Sequence, residues 1–251
     1  PRARPTRGRG LGVDPLAQEE ADHRLLDPPG IASDAPRIFK DKTVIVTGGS
    51  EGVGAAAARL FAGAGANLML VARNRKNLEA IAAELRDRSR VEIFPMDVSD
   101  ADCCVDLFKK TQFEFGRIDV LVNNAGFQAR GYVESVSAED LGRTIDVNLR
   151  APIMLTRLAL PHIREAGGGA IVNVASLAGR TPVPGSAAYS ASKFGLRAFT
   201  FSLAEEIRES GIKLAVVSPG PISTQFILAD IDTTSDLTFS QPMSSAEEVA
   251  Q

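Results

Sequence analysis

The chain has 251 residues, a net charge of −3, 44% hydrophobic and 24% charged residues, and no tryptophan. That is enough apolar surface for a core, so disorder throughout is excluded, and a chain of this length makes one large domain or two small ones. There is no basic excess to hold a nucleic-acid backbone, and no apolar run approaches the roughly 18 residues of a membrane span.

Residues 1–37 hold six prolines, four glycines and six arginines without sustained periodicity. They read as a disordered or loosely packed extension. The arginines from Arg2 to Arg9 fit the remnant of a targeting peptide and organelle import. Acidic residues from Asp14 onward argue instead for a solvated tail, and a cytoplasmic location is the favoured expectation. The first residue is not methionine, which points to a fragment or a processed product.

From Ile38 the pattern becomes regular. Short apolar runs at Thr43–Val46, Asn67–Val71, Val91–Phe94, Val120–Val122, Ala170–Val174 and Leu214–Val217 have the two-sided hydrophobicity of buried parallel strands. Segments with helical spacing lie between them: Val53–Gly63, Asn77–Arg88, Ala101–Phe115, Ala138–Ala166 and Ser186–Ser210. This alternation predicts right-handed βαβ units in one α/β domain, residues 38–251, built on a Rossmann-like doubly wound parallel sheet. Cys103 and Cys104 are adjacent, which makes an ordinary bridge awkward, so both read as free thiols in a reducing compartment. With His23 and His162 the only histidines, no metal-ligand spacing is present and no metal is expected.

The first strand runs into Thr47-Gly48-Gly49-Ser50-Glu51-Gly52-Val53-Gly54 and then a helix. A glycine-rich strand-to-helix turn aims backbone N–H groups and a positive dipole end at an anion, and it lets a pyrophosphate approach the backbone. A simple tight turn is the alternative reading. Further along, Tyr189 and Lys193 stand four apart on a predicted helix and share a face. A tyrosine hydroxyl near pKa 10 exchanges protons poorly at neutral pH, and an ammonium within about 4–6 Å would lower it. Ser176, thirteen residues earlier, falls at a strand end, where α/β folds place their ligands.

The spacing Thr-Gly-x-x-x-Gly-x-Gly resembles the short-chain dehydrogenase/reductase family. Asn123-Asn124-Ala125-Gly126 after the fourth strand, Asn148 within a helix, Ser176, Tyr189-x-x-x-Lys193, and Pro219-Gly220 with Thr224 are similar to that family's motifs, in its order, over Lys42 to about Thr224. The resemblance implies that Tyr189 exchanges a proton with a carbonyl or alcohol oxygen. Lys193 would lower the tyrosine pKa and bond the nicotinamide ribose, Ser176 would orient the carbonyl, and Asn148 would hold a water in a proton relay. It also implies cofactor contacts from Thr47, Gly48, Ser50, Gly52, Val53, Gly54, Asp97, Val98, Asn124, Ala125, Gly126, Pro219, Gly220 and Thr224. For Asp97, a contact to adenine and a role in the turn or helix cap beside Ser99 and Asp100 both stand.

Cofactor preference turns on the end of the second strand. The position that would carry a carboxylate for the ribose of NAD is Ala72, and Arg73 after it can fork onto a 2′-phosphate. Arg75 and Lys76 read as a solvated helix start. NADP(H) is therefore favoured over NAD(H), with Glu51 in the glycine-rich loop counting the other way. The segment Gln225–Met243 should cover the substrate, its apolar residues either lining a pocket or packing the lid. Ser245-x-x-Glu248 has the form of a capping box. The chain stops soon after, and the resemblance, whose members continue through that helix to a seventh strand, implies a domain cut before its last strand, a helix at Ala246–Gln251 too short to hold by itself, and an exposed neighbouring strand. The expected activity is an NADP(H)-preferring oxidoreductase of a small carbonyl/secondary-alcohol pair, acting as a homo-oligomer. A 3-ketoacyl or keto-lipid reductase and a non-catalytic NADP-binding or redox-sensing protein are the alternatives.

Overall fold

In the computed structural model, the described residues are 37–224 and 242–251. The expectations for residues 1–36 and for most of the lid, 225–241, fall outside them. Six strands form one parallel sheet: β1 (Thr43–Thr47), β2 (Asn67–Ala72), β3 (Val91–Pro95), β4 (Val120–Asn123), β5 (Gly169–Val174) and β6 (Ile212–Val217). Their spatial order is β3-β2-β1-β4-β5-β6. The order reverses between β1 and β4, which leaves a crevice at the carboxyl ends of those strands.

Strand periodicity sorts the core into two layers. Ile45, Met69, Leu121 and Ile171 point to one side of the sheet, against Leu107 and Phe108 of α3 (Ala101–Phe115) and Leu155 and Ile163 of α5 (Ala151–Glu165). Their neighbours Val44, Val46, Leu68, Leu70 and Val122 point to the other side. There they meet Ala58 and Ala62 of α1 (Gly52–Gly63) and Leu78, Ala82 and Leu85 of α2 (Arg75–Leu85). The alanines of α1 let that helix lie close to the strands, with its first turn at the carboxyl end of β1.

Three details depart from the sequence reading. The single helix expected over Ala138–Ala166 is α4 (Ala138–Ile145) and α5 joined by a π-helical turn at Asp146–Arg150. β6 is not buried on both faces: Lys213, Ala215 and Val217 face outward, as on an edge strand. The terminal segment does hold a helix, α7 (Ala246–Ala250). Its capping box is complete, with Ser245 Oγ accepting from Glu248 N at 3.1 Å and Glu248 Oε2 accepting from Ser245 N at 2.7 Å. Ala246 is buried, α7 packs against α1, and Ser244 bridges to Ile222, so tertiary contacts supply what five residues lack.

Candidate active site

A cavity of about 1130 Å³ opens where all six strands end. Gly48, Ser50, Gly52 and Val53 line it after β1, Arg73 after β2, Asp97 and Val98 after β3, Asn124, Ala125 and Gly126 after β4, Ser176 after β5, and Pro219, Gly220 and Thr224 after β6. Tyr189 and Lys193 enter from α6 (Ala187–Glu206).

The glycine-rich loop is shaped for an anion. Gly48 has φ +65° and Gly52 φ +51°, conformations that favour glycine. The first turn of α1 has no side-chain cap at Glu51. By contrast, Asn74 caps α2, Asp100 caps α3 and Ser137 caps α4. The first N–H groups of α1 are thereby left to a ligand in the cavity. Thr224 closes over this loop, so that a Cβ on Gly52 would lie 3.3 Å from its methyl. This cradle fits a dinucleotide pyrophosphate.

Three expected site residues stand behind the cavity wall. Thr47 Oγ1 donates to Val122 O at 3.1 Å and accepts from Asn124 N and Ala125 N at 3.0 and 3.1 Å, which ties β1 to the end of β4. Gly54 packs onto the Gly48 carbonyl. Asn148, fully buried in the π-helical turn, accepts from Phe127 N at 2.8 Å and donates to Phe127 O at 2.7 Å and Ser192 Oγ at 3.2 Å. Its amide protons are thus committed to protein, and its side chain pins the loop after β4 rather than facing the cavity. Asp97 is a turn residue: it accepts from Ser99 N and Oγ and from Arg143, while Asp100 is the cap of α3. Burial pushes the Asp97 carboxyl up, but the Ser99 hydrogen bonds and the charges of Arg143 and Arg73 outweigh it and hold it below its ordinary value.

Sequence reasoning missed Ser192, Gln128 and Arg130. Ser192 lies inside Tyr-x-x-x-Lys and donates to Tyr189 O at 2.7 Å, coupling Asn148 to α6. Arg130 lines the cavity four residues past Gly126. Nothing local marks it as a site residue.

The family model of the short chain dehydrogenases matches residues 42–233. The chain belongs to the short-chain dehydrogenase family. It is 37% identical to an uncharacterized oxidoreductase of Staphylococcus saprophyticus over 79% of this chain and 82% of that one. It is 38% identical to sulfoacetaldehyde reductase 2 of Chromohalobacter salexigens, covering 74% of each. An uncharacterized oxidoreductase of Staphylococcus epidermidis is 34% identical over 74% of this chain and 80% of its own length. As a short-chain dehydrogenase the chain is an NAD(P)-dependent oxidoreductase acting on small molecules. Among the described residues, no helix is long and apolar enough to cross a membrane.

The electrostatics of this short-chain dehydrogenase differ from the expected pattern. Lys193 Nζ lies 5.6 Å from the Tyr189 ring centroid and donates to Val174 O at 2.8 Å. Burial nonetheless pushes the Tyr189 hydroxyl up, only partly offset by a hydrogen bond from Ser176 and by the charge of Arg130. Burial also pushes the Lys193 ammonium down to about 8. Desolvation disfavours the charged form of each group.

The depressed Lys193 value has a sign that can be tested. The unfolded chain holds this proton more tightly, so the buried ammonium destabilises the fold below pH 8, and the penalty is relieved as pH rises toward the ordinary value of 10.5. The difference in unfolding free energy between wild type and Lys193→Met isolates this titration. It is expected to shift toward the wild type by roughly 2 kcal/mol from pH 7 to 10, read by denaturant unfolding of the cofactor-free protein. A flat difference would contradict a buried cation here.

Proposed function

We propose that this short-chain dehydrogenase is an NADP(H)-preferring reductase of small carbonyl compounds, with Tyr189 as the acid. The observation that carries the reading is the meeting of the Ser176 and Tyr189 hydroxyls in the cavity, with Lys193 beside the tyrosine ring. A proton on Tyr189 at neutral pH is what carbonyl reduction requires. The reductase named among the relatives acts on an aldehyde.

NADP(H), when bound, supplies the hydride. Ser176 donates to the carbonyl oxygen and fixes its position. Tyr189 transfers its phenolic proton to that oxygen as negative charge develops there, so the carbonyl becomes an alcohol. In the reverse direction the Tyr189 phenolate oxygen accepts the proton from the alcohol. Lys193, held by Val174 O, offers its remaining N–H groups to the nicotinamide ribose, and its charge stabilises the phenolate left after transfer. Asn148 supports this geometry through Phe127 and Ser192. The uncapped first turn of α1 and Gly48, Ser50, Gly52 and Thr224 hold the pyrophosphate. Proximity and orientation then account for much of the rate.

The preference for NADP(H) rests on Ala72 and Arg73. Both line the nucleotide end of the cavity, whereas Arg75 and Lys76 do not. No carboxylate directly follows β2 to take a ribose 2′-hydroxyl, and an arginine at position 73 suits a forked contact with a 2′-phosphate, which supports the reading. Arg73→Ala should weaken NADPH by roughly 10- to 100-fold, the worth of a charge-assisted hydrogen bond, and leave NADH nearly unchanged. Fluorescence titration with both nucleotides checks this. Equal weakening of both would remove Arg73 from phosphate recognition.

A further inference from the structure

A row of buried polar side chains joins α5 to α6 across two strands of the sheet. Thr156 of α5, Asn123 at the end of β4, Asn173 of β5 and Thr200 of α6 are each at most 2% exposed. Asn123 and Asn173 are register partners on neighbouring strands. Asn123 Nδ2 donates to Thr156 Oγ1 at 3.2 Å and to Asn173 Oδ1 at 2.9 Å. Asn173 Nδ2 donates to Thr200 Oγ1 at 2.8 Å, and Thr200 Oγ1 donates onward to Leu196 O at 2.7 Å. None of the four side chains lines the cavity, so none of them meets a ligand there.

Such a row is not what a core needs for stability. Exchanging both partners of a buried neutral hydrogen bond for apolar groups of the same shape is close to neutral. One acceptor in the row, Asn123 Oδ1, has no partner among the described residues, which costs stability. What the row supplies is position. Ser176 follows three residues after Asn173, on leaving β5, whereas Tyr189 and Lys193 are carried by α6. The groups of the reacting centre therefore ride on two elements. Lys193 Nζ joins those elements through Val174 O at 2.8 Å, but a lysine chain is flexible and can follow a shift of its helix. Thr200 is short and stiff at χ1, so its bond to Asn173 transmits such a shift directly. It lies seven residues, about two turns, beyond Lys193 on the same face. Held to β5 at two heights, α6 can neither slide nor turn.

We propose that Asn173 and Thr200 are positioning residues, whose hydrogen bond sets the register of α6 on β5 and thereby places Tyr189 and Lys193 against Ser176. This rests on the reading of those three residues as the reacting centre. A displacement of about 1 Å is enough to spoil such a centre. The other end of the row is an internal control. Thr156 anchors α5, and α5 carries none of the three groups.

The test uses the full chain with NADPH and a panel of short aldehydes. Thr200→Val keeps the shape and removes the hydroxyl, and Asn173→Leu removes the other partner. Each should lower kcat roughly 10- to 100-fold and leave the KM for NADPH within about threefold of wild type. The double variant should lose little more, because both substitutions remove the same bond. Thr200→Ser restores the hydroxyl and should recover most of kcat, while Thr156→Val should leave kcat within about threefold. A second readout needs no turnover: acylation of Lys193, 3% exposed, and alkylation of Cys104, fully buried, are followed by peptide mass spectrometry. Lys193 should react about fivefold faster in Thr200→Val, the weight of one buried hydrogen bond, with Cys104 unchanged. This readout decides the proposal by itself if no aldehyde in the panel is reduced. Wild-type labelling of Lys193 in Thr200→Val would overturn the proposal. Equal loss of kcat in Thr156→Val, or a parallel rise at Cys104, would overturn it too and leave a row that merely holds the core together. Failure of both Thr200→Val and Asn173→Leu to fold would have the same meaning. If instead Tyr189→Phe retained full activity, the acid assignment would fail, while the labelling would still report on the register of α6.

Discussion

Replacing Tyr189 with phenylalanine should leave NADPH affinity near wild type and lower turnover at least 10²-fold, the usual range for loss of a general acid. The substitution removes one oxygen from a ring held on α6. Ser192 bonds the Tyr189 backbone carbonyl rather than its hydroxyl, so the helix register is kept. Ser176 keeps its own local anchor, with its Oγ accepting from Ala178 N at 3.1 Å, and remains to orient the carbonyl. What disappears is the proton donor, at the point where oxygen becomes an alkoxide. The loss should therefore fall on kcat, with KM changed little. Steady-state assay of NADPH consumption alongside a fluorescence titration separates the two. Near-normal kcat in the variant would take Tyr189 out of the mechanism.

Gly54→Ala should be the most damaging substitution in the nucleotide cradle. A Cβ there would lie deep inside the Gly48 carbonyl oxygen and 2.6 Å from Asn124 Nδ2. Both are main supports of the loop, since Asn124 Nδ2 also donates to Thr47 O at 3.0 Å and Gly48 O at 3.2 Å. The Gly48 carbonyl is backbone and the Asn124 amide is held by these two bonds, so relief requires moving the strand-to-helix turn or tilting α1. Tilting α1 redirects the N–H groups that face the pyrophosphate. NADPH affinity should fall at least roughly 100-fold, with a stability loss of about 2–4 kcal/mol. Gly142→Ala is the matched control: its Cβ meets nothing within 4 Å inside α4, and it should stabilise by about 0.5–1 kcal/mol. Wild-type NADPH binding in Gly54→Ala would show that the close approach is not needed.

What was legible in the sequence follows the range of the interactions involved. The central strands announce themselves because β1 and β4 are buried on both faces, and only uninterrupted apolar runs satisfy that. The loop glycines, Ser176, Tyr189 and Lys193 could be placed because each lies at a strand end or one helical turn from its partner. The π-helical turn in the α4–α5 run carries no local composition signal, so it read as plain helix. Asn148 and Arg130 were harder for a different reason. Asn148 is consumed by Phe127 and Ser192, 21 and 44 residues away, and Arg130 comes to the cavity on a loop that Gly131 N ties to Gly185 O. The sign of the tyrosine shift depends on how much water the fold excludes, and a spacing of four residues on a helix does not contain that. α7 shows the same limit: its capping box was readable, but its seat on α1 was not.

The central claim is that this cavity transfers hydride between NADPH and a carbonyl carbon. The direct measurement is the fate of deuterium when the full chain is incubated with NADPH deuterated at the nicotinamide C4 position and a short aldehyde. The account predicts deuterium on the carbinol carbon of the alcohol for one of the two C4 epimers, and almost none formed by Tyr189→Phe in the same time. Tight NADPH binding with no labelled alcohol from either epimer, across a panel of short aldehydes, would contradict it and leave a nucleotide-binding protein without this chemistry.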